Sequence, residues 1–341
     1  MAEPRFWQHK NAVLSLALTP LSLLYGGLEA LNRRLTQPQH PGKPVICIGN
    51  LTVGGGGKTP TVACVYRWLC DDGFTPAILS RGYGGREKGP LRVDPTLHDA
   101  AAVGDEPLML AAEAPVYIGA DRMASLRCAV ADGHDVLIKD AGFQNPKLAH
   151  HFNLLVVDAA SGLGNQRLLP AGPLRQPLPV ALGRLDALLV IGDAPTAHPS
   201  VDLLLDMVEA LGKPVFFGRT EPSPTGNDTV HGFCGIAKPQ KFRASLQQAG
   251  YRVSELTAFG DHHPFSEAEA KRLLASTQKL ITTRKDMARL VGAPEGSARA
   301  QLAAKAMVLD IALQVEAADE LRAAMRAAMQ DKQANRLYTS Y

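Results

Sequence analysis

A glycine-rich run in the first quarter of the sequence is its clearest chemical feature. It reads Thr52-Val-Gly-Gly-Gly-Gly-Lys58-Thr59. Consecutive glycines allow several backbone N–H groups to converge on phosphate oxygens, helped by the positive end of a following helix. Lys58 would then bridge the β- and γ-phosphates of a nucleotide, and the Thr59 hydroxyl would ligate Mg²⁺. We therefore predict a nucleotide site formed by Thr52, Val53, Gly54, Gly55, Gly56, Gly57, Lys58 and Thr59.

One position departs from the strict phosphate-loop pattern, because Thr52 stands where a glycine is usual. The alternative is a flexible glycine-rich linker. A linker would need neither the Lys-Thr pair nor a strand before the run and a helix after it. This chain has a strand-like segment at 45–48, and Pro60 suits the first turn of a helix.

A magnesium site needs hard oxygen ligands in addition to Thr59. Asp140 follows the apolar segment 136–138, which is where a P-loop protein carries a metal-binding carboxylate. Glu106 is a second candidate. The sequence thus predicts Mg²⁺ held by Thr59, Asp140 and Glu106.

The elements that must position these residues alternate between short apolar runs and helical patterns. The predicted strands are 44–48, 77–79, 116–118, 136–138, 154–157, 187–191, 215–217, 232–234, 279–282 and 306–311. Helices are predicted at 60–71, 106–114 and 122–131, with a further helix at the end of the chain. Continuous apolar strands need helices on both faces, so the fold class is α/β with a mainly parallel sheet.

Composition limits the classes of protein. The chain has 341 residues, 46% hydrophobic and 20% charged, with a formal net charge of +3. The near balance of 36 basic and 33 acidic residues argues against nucleic acid as a partner, because a nucleic-acid-binding protein is expected to carry a basic face. The five cysteines are an odd number without a CxxC pair, so we interpret them as buried thiols in a reducing cytosol.

The amino-terminal segment is exceptional, because residues 11–31 carry a single charge, Glu29. Lys10, Arg33 and Arg34 flank it, while Pro20 and a glycine pair interrupt it. We predict an amphipathic helix lying on a membrane surface, its apolar side entering the acyl boundary. The alternative is an ordinary core helix.

Three parts of the chain are expected. They are an N-terminal membrane-associated helix at 1–36, a P-loop NTPase-like core domain at 37–179 and a smaller C-terminal α/β domain at 180–341. The boundary is set near Pro179, in a proline-containing stretch.

The set of motifs resembles the tetraacyldisaccharide 4′-kinase family over nearly the whole chain. These motifs are Ile48 to Pro60, Ser80-Arg-Gly-Tyr83, Gly104-Asp-Glu-Pro107, Asp121-Arg122, Gly142-Phe-Gln144, Leu169-Pro-Ala-Gly172 with Arg175, Gly260-Asp-His262 and Thr282-Thr-Arg-Lys-Asp286. A P-loop alone fits GTPases, motors and kinases, so the acceptor is inferred from this resemblance.

The resemblance implies transfer of the γ-phosphoryl group of ATP to the 4′-hydroxyl of an acylated glucosamine disaccharide at the cytoplasmic face of the inner membrane. It implies Asp105 as catalytic base together with His262, besides Lys58. It places Lys285 at the nucleotide. Substrate or phosphate contacts would come from Arg81, Tyr83, Arg122, Gln144 and Arg175. We expect a monomer.

From the residues alone, other interpretations remain open. Asp105 could be a helix N-cap, His262 a solvated surface residue, and each arginine part of a surface ion pair. The family's strand usually ends in two aspartates, whereas this chain has Asp140-Ala141, and Asn145 stands where many members have histidine. A membrane-bound nucleotide switch, or a kinase of another acceptor, is therefore the alternative function.

Overall fold

The computed structural model describes residues 4–9, 12–54, 56–192 and 197–330. The chain divides into two compact units. The first, here called the glycine-loop unit, comprises the described residues of 3–80, 121–220 and 313–341. The second, here called the Asp105 unit, comprises Arg81–Ala120 and Glu221–Ala312.

The helices follow a short 3-10 turn at Arg5–Gln8. They are α1 (Val13–Ala17), α2 (Thr19–Leu35), α3 (Lys58–Asp71), α4 (Ala100–Val103), α5 (Asp105–Ala111), α6 (Arg122–Ala131), α7 (Leu178–Leu182), α8 (Pro199–Ala210), α9 (Pro239–Gln248), α10 (Glu267–Leu274), α11 (Arg284–Leu290), α12 (Ala298–Lys305) and α13 (Ala318–Gln330).

The strands include every segment predicted as a strand, together with two that the sequence did not indicate, β3 and β10. They are β1 (Val45–Gly49), β2 (Pro76–Ser80), β3 (Leu91–Arg92), β4 (Val116–Ile118), β5 (Val136–Asp140), β6 (Phe152–Asp158), β7 (Ala187–Ile191), β8 (Val215–Ser223), β9 (Thr229–Cys234), β10 (Arg252–Ala258), β11 (Lys279–Thr283) and β12 (Met307–Val315).

In the glycine-loop unit, six strands form a parallel array in the order β8-β7-β6-β1-β5-β2. β1, β2, β5 and β7 are buried at every residue, as expected for parallel strands covered on both faces. Aliphatic side chains of β6 and β7 form a core with those of α7 and α8. The predicted α/β class with a mainly parallel sheet is confirmed.

In the Asp105 unit, four parallel strands lie in the order β10-β9-β11-β12. β3 and β4 pair with each other in antiparallel orientation. Two apolar clusters stabilise this unit. One packs α9 against β9, and the other packs α10 and α12 around Phe233 and Phe265.

The expected boundary at Pro179 falls inside α7. The strands on either side of it, β6 and β7, pair along five residues, from Leu154 to Asp158, so both belong to the glycine-loop unit. The chain leaves that unit twice, once after Ser80 and once within β8. A single cut in the sequence cannot separate the two units, because each unit is assembled from stretches that are separated along the chain.

The amino-terminal segment forms two helices, α1 and α2, which meet at Leu18. Within the described ranges, no helix has both the length and the apolar character required to cross a bilayer. The cysteines are all free thiols; Cys47, Cys64 and Cys234 are buried. The interpretation as buried thiols is wrong for Cys70, which is exposed near the end of α3, and Cys128 is half-buried.

Candidate active site

The glycine loop joins the carboxyl end of β1 to the first turn of α3. Gly57 has φ +80°, and a Cβ there would lie 2.7 Å from Ile191 Cδ1, so both the backbone conformation and the packing require glycine. α3 begins at Lys58, so Lys58 and Thr59 lie in its first turn, where backbone N–H groups point out of the helix end. This is the geometry of an anion site. Gly55, one of the predicted nucleotide residues, lies outside the described residues.

Three side chains donate hydrogen bonds to carbonyl oxygens at the start of the glycine loop. Asn50 Nδ2 donates to Thr52 O (2.7 Å), and Arg175 Nε donates to the same oxygen (3.2 Å). Gln144 Nε2 donates to Asn50 O (2.9 Å). Gln144 and Arg175 were predicted to contact substrate; in the structure their hydrogen bonds support the start of the glycine loop. Asn50 belongs to the same support and was not predicted.

Asp140, the predicted metal ligand, ends β5 next to the strand that enters the loop. It pairs in register with Ile48 of β1, it is buried, and Ser80 Oγ donates to its Oδ2 (3.4 Å). Within the described part of the chain, no group of three or more His, Cys, Asp or Glu side chains is arranged to hold a metal ion. Mg²⁺ at a nucleotide needs only one or two protein carboxylates, since phosphates and waters supply the rest. Asp140 together with Thr59 fits that requirement.

Lys139 does not replace the carboxylate missing at Ala141. Successive strand residues face opposite sides of a sheet, so Lys139 and Asp140 point apart. Lys139 is fully buried, and its Nζ lies 2.8 Å from His150 Nε2. Burial lowers the pKa of Lys139 to about 8. Ala141 itself has φ +61°, an unusual conformation for a residue with a side chain.

The Asp105 unit brings together the two residues that the family resemblance paired. His262 Nδ1 lies 2.9 Å from Asp105 Oδ2, although 157 positions separate them in the chain. Asp105 is buried at the start of α5, whereas the His262 side chain is 38% exposed. His262 has φ +58°. His262 thus has a hydrogen-bond partner in Asp105 although its side chain is exposed, and its catalytic role stays a prediction.

Arg289 is a site residue that the sequence reasoning missed. Its guanidinium is buried and donates through Nε (2.9 Å) and through Nη2 to Asp105 Oδ2. Its Nη1 donates to Gly235 O and to Asp286 Oδ1, both at 2.7 Å. Gly235 O also accepts from His262 N (3.1 Å), so one arginine is tied to both members of the Asp105–His262 pair. Only the i, i+3 spacing of Asp286 and Arg289 on a helix could have pointed to it.

The surrounding charges control the protonation of Asp105. Burial by itself would raise the pKa of this carboxyl, but the hydrogen bond from His262 and the positive charges of Lys285 and Arg289 hold its pKa well below the ordinary value. Asp105 is therefore ionised at neutral pH. Burial raises the pKa of Asp286, although Thr283 and Arg289 oppose the shift.

The remaining predicted residues are distributed as follows. Glu106, the second metal candidate, accepts a hydrogen bond from Lys285 Nζ (3.0 Å), and the same ammonium is 3.9 Å from Asp105 Oδ2. Arg81 and Tyr83 are exposed, Tyr83 by 75%. Arg122 is buried at the first position of α6. The structure thus groups Lys285 and Glu106 with Asp105, and groups Gln144 and Arg175 with the glycine loop.

A parallel α/β array in which a glycine loop with Lys58-Thr59 opens a helix defines a P-loop protein. The sequence profile of the family described as Tetraacyldisaccharide-1-P 4′-kinase (LpxK) matches residues 14–330. The chain belongs to the tetraacyldisaccharide 4′-kinase family.

Individual relatives support this assignment. The chain is 45% identical over 322 residues to the tetraacyldisaccharide 4′-kinase of Parvibaculum lavamentivorans, covering 91% of this chain and 93% of that protein. It is 46% identical over 301 residues to the enzyme of the same name from Bradyrhizobium sp. strain BTAi1, covering 86% of each. Its fold is similar to the crystal structure of LpxK from Aquifex aeolicus in complex with ATP, with a TM-score of 0.72 and 27% identity over 93% of this chain and 100% of that one.

Proposed function

We propose that this chain transfers the γ-phosphoryl group of ATP to the 4′-hydroxyl of a tetraacyldisaccharide 1-phosphate, giving lipid IVA. The chain is a kinase of the family named for that reaction. The observation that carries the proposal is the hydrogen-bonded pair of Asp105 and His262. A hydroxyl acceptor needs a group that takes its proton, whereas a nucleotide switch needs no such pair.

On the donor side, the glycine loop and the first turn of α3 bind the phosphates through backbone amides. Lys58 neutralises charge on the β- and γ-phosphates as the bond to the leaving oxygen lengthens. Thr59 and Asp140 would hold Mg²⁺, which supplies further neutralisation of phosphate charge when it is bound. The loop conformation is stabilised by the hydrogen bonds that Asn50, Gln144 and Arg175 donate to its carbonyl oxygens.

On the acceptor side, the charge state of Asp105 assigns the roles in the pair. An ionised carboxylate only accepts hydrogen bonds, so His262 Nδ1 carries the proton of their 2.9 Å contact. The other ring nitrogen, Nε2, then bears the lone pair that can take the proton of the 4′-hydroxyl. Asp105 fixes this tautomer and stabilises the imidazolium that forms. Arg81 and Tyr83, being exposed, are available to contact the disaccharide.

A lipid acceptor gives a reason for the unusual outer face of α1 and α2. Leucine and valine side chains there are exposed, while the small polar Ser15 and Ser22 are buried. The exposed residues are Val13, Leu14, Leu16, Leu21, Leu23, Leu24, Leu28, Leu31 and Leu35. We propose that this leucine face enters the acyl region of the inner membrane at its cytoplasmic side, with Arg33 and Arg34 at anionic headgroups.

The reaction is tested by incubating the full chain with radiolabelled ATP, magnesium and tetraacyldisaccharide 1-phosphate in mixed micelles. A bisphosphorylated lipid should form, and Lys58→Ala should remove both product and ATP binding. Lys271→Ala is the matched control, because Lys271 is an exposed lysine on α10. Steady ATP binding without lipid product would favour a nucleotide switch, and phosphorylation of a soluble acceptor only would favour another kinase.

Membrane attachment is tested separately by sedimentation with vesicles containing anionic phospholipid. Replacing Leu23, Leu24 and Leu28 together with serine should weaken binding by at least about 100-fold, because each buried leucine contributes roughly 1.5–3 kcal/mol. Leu97→Ser is the control, since Leu97 is 79% exposed in the Asp105 unit. Unchanged sedimentation of the triple variant would contradict the proposed leucine face.

A further inference from the structure

The inner face of α1 and α2 is attached by hydrogen bonds to residues 165–175, here called the connecting segment. Ser15 Oγ donates to Ala171 O (2.6 Å). Ser22 Oγ donates to Leu168 O (2.8 Å) and accepts from Ala171 N (3.0 Å). Both serines are buried. These bonds fix which side of the helices faces the protein.

One turn further along α2, Tyr25 reaches the last residue of the connecting segment. Its hydroxyl donates to Arg175 O (2.9 Å). Tyr25 is half-buried, and burial raises the pKa of its hydroxyl. At the next position, a Cβ on Gly26 would lie only 2.9 Å from Leu168 Cδ1, so the helix backbone approaches the segment closely. The contact is therefore tight as well as hydrogen-bonded.

The other side of the connecting segment is bonded to the entrance of the glycine loop. Arg175 N donates to Leu51 O (3.0 Å), and Arg175 Nε donates to Thr52 O (3.2 Å). Val53 N donates to Pro173 O (2.9 Å). Arg175 is the shared residue. Its carbonyl accepts a hydrogen bond from Tyr25 of α2, while its amide and its guanidinium donate hydrogen bonds to the glycine loop.

We propose that α2 is a positioning element of the ATP site, with Tyr25 as the positioning residue that acts through Arg175. When the hydroxyl of Tyr25 fixes the Arg175 peptide, the bonds to Leu51 and Thr52 hold the loop entrance in the conformation that presents its amides to phosphate. The amino-terminal helix thus contributes to nucleotide affinity as well as to membrane attachment. This inference rests on ATP binding by the glycine loop, which is part of the proposed function, but not on membrane binding.

The size of the effect follows from the removal of one hydroxyl. A hydrogen bond of this kind stabilises its conformation enough to change an equilibrium by about 2- to 10-fold. We therefore expect Tyr25→Phe to raise the Kd of Mg-ATP by that factor, measured by calorimetry without lipid. The KM for ATP should rise in parallel, while kcat at saturating ATP stays unchanged, because Tyr25 touches no reacting atom.

Tyr66→Phe is the matched control. Tyr66 is also half-buried, lies on α3 in the same unit, and its hydroxyl bonds with Cys70, outside the connecting segment. Its loss should leave the Kd of Mg-ATP unchanged. Ser22→Ala, which removes two bonds to the connecting segment, should raise the Kd in the same direction as Tyr25→Phe. Hydrogen exchange at the Val53 amide should become faster in both helix variants.

The outcomes separate a positioning role from a structural one. A lower Tm for Tyr25→Phe with the Kd and KM for ATP of the wild type would overturn the inference, as would an equal rise in Tyr66→Phe. Absence of ATP binding in the wild-type chain would overturn the proposed function and this inference together. ATP binding that is equal in wild type and in both helix variants overturns the inference alone.

Discussion

Replacing the buried lysine of β5 by methionine should stabilise the protein at neutral pH. Lys139 is fully buried, and its pKa falls from the ordinary 10.5 to about 8, mainly because burial disfavours the ammonium. A difference of this size corresponds to about 3 kcal/mol against the folded state while the lysine is protonated. Methionine has a similar length and carries no charge, so Lys139→Met removes this penalty.

The variant also loses two hydrogen bonds of Lys139 Nζ, a short one to His150 Nε2 and a long one to Asn145 O (3.5 Å), which reduces the gain. His150, whose pKa burial and the Lys139 charge lower well below the ordinary range, is neutral and accepts from Lys139 Nζ at 2.8 Å. Its Nδ1 then donates to Asn153 Oδ1 (2.8 Å). Leaving His150 Nε2 without this donor costs roughly 1–3 kcal/mol. The expected net effect at pH 7 is therefore a stabilisation of about 1 kcal/mol.

The pH dependence is the sharper test, because the hydrogen-bond cost does not alter it. Between pH 8 and 10.5 the unfolded wild type keeps the proton that the folded protein has lost, so wild-type stability rises with pH. The advantage of Lys139→Met should thus shrink by about 3 kcal/mol between pH 7 and 10.5, as measured by urea denaturation at each pH. Lys271→Met, at an exposed site, should show no such trend.

If the free energies of unfolding of wild type and Lys139→Met differed by the same amount at every pH from 7 to 10.5, the reasoning would be refuted. Activity supplies a second check on where the ammonium points. Since Lys139 faces away from Asp140, kcat should stay within a few-fold of the wild type. A fall of orders of magnitude would mean that the ammonium acts beside the metal.

Three further predictions concern the reaction and the thiols. Asp105→Ala should lower kcat by at least about 100-fold and leave the Kd of ATP in calorimetry nearly unchanged; loss of ATP binding would contradict its assignment to the acceptor side. Arg289→Met removes a positive charge beside Asp105, so the pKa of Asp105 should rise and the acid limb of the pH–kcat profile should move to higher pH. Arg289→Lys should restore the profile in part. Identical profiles for wild type and Arg289→Met would contradict the role given to Arg289. Ellman's reagent should label the exposed Cys70 quickly and Cys64 slowly, because burial raises the pKa of Cys64 to about 11. A rapid labelling phase that survives in Cys70→Ser would show that Cys70 is not the exposed thiol.

The family, the fold class and the glycine loop could be predicted from the sequence because each motif or apolar run that indicates them is a short stretch of the chain. The strand, the glycine run and the whole of the following helix lie within 27 residues, from Val45 to Asp71. The left-handed backbone of Gly57 is likewise indicated by the residue type itself. The position of Asp140 is similarly local, since it follows its own apolar strand. The roles of individual site residues remain proposals for the experiments above.

Contacts between distant residues could not be obtained in this way. Periodicity reports that a residue is buried, but it does not name the group that meets it. Arg289 could have been another helix arginine until the fold brought it to Asp105, 184 positions away. Gln144 and Arg175, expected at substrate, gain their hydrogen bonds to the glycine loop from the packing of β5 and the connecting segment.

The sequence by itself determined that this protein has a parallel α/β sheet with a phosphate loop, because these depend on residue types and spacing along a short stretch. Only the tertiary structure decided which charges surround Asp105, where Lys139 points and which face of α2 meets the connecting segment. Each of these is set by hydrogen bonds and charges that act through space, and separation along the chain carries no information about distance in the folded protein.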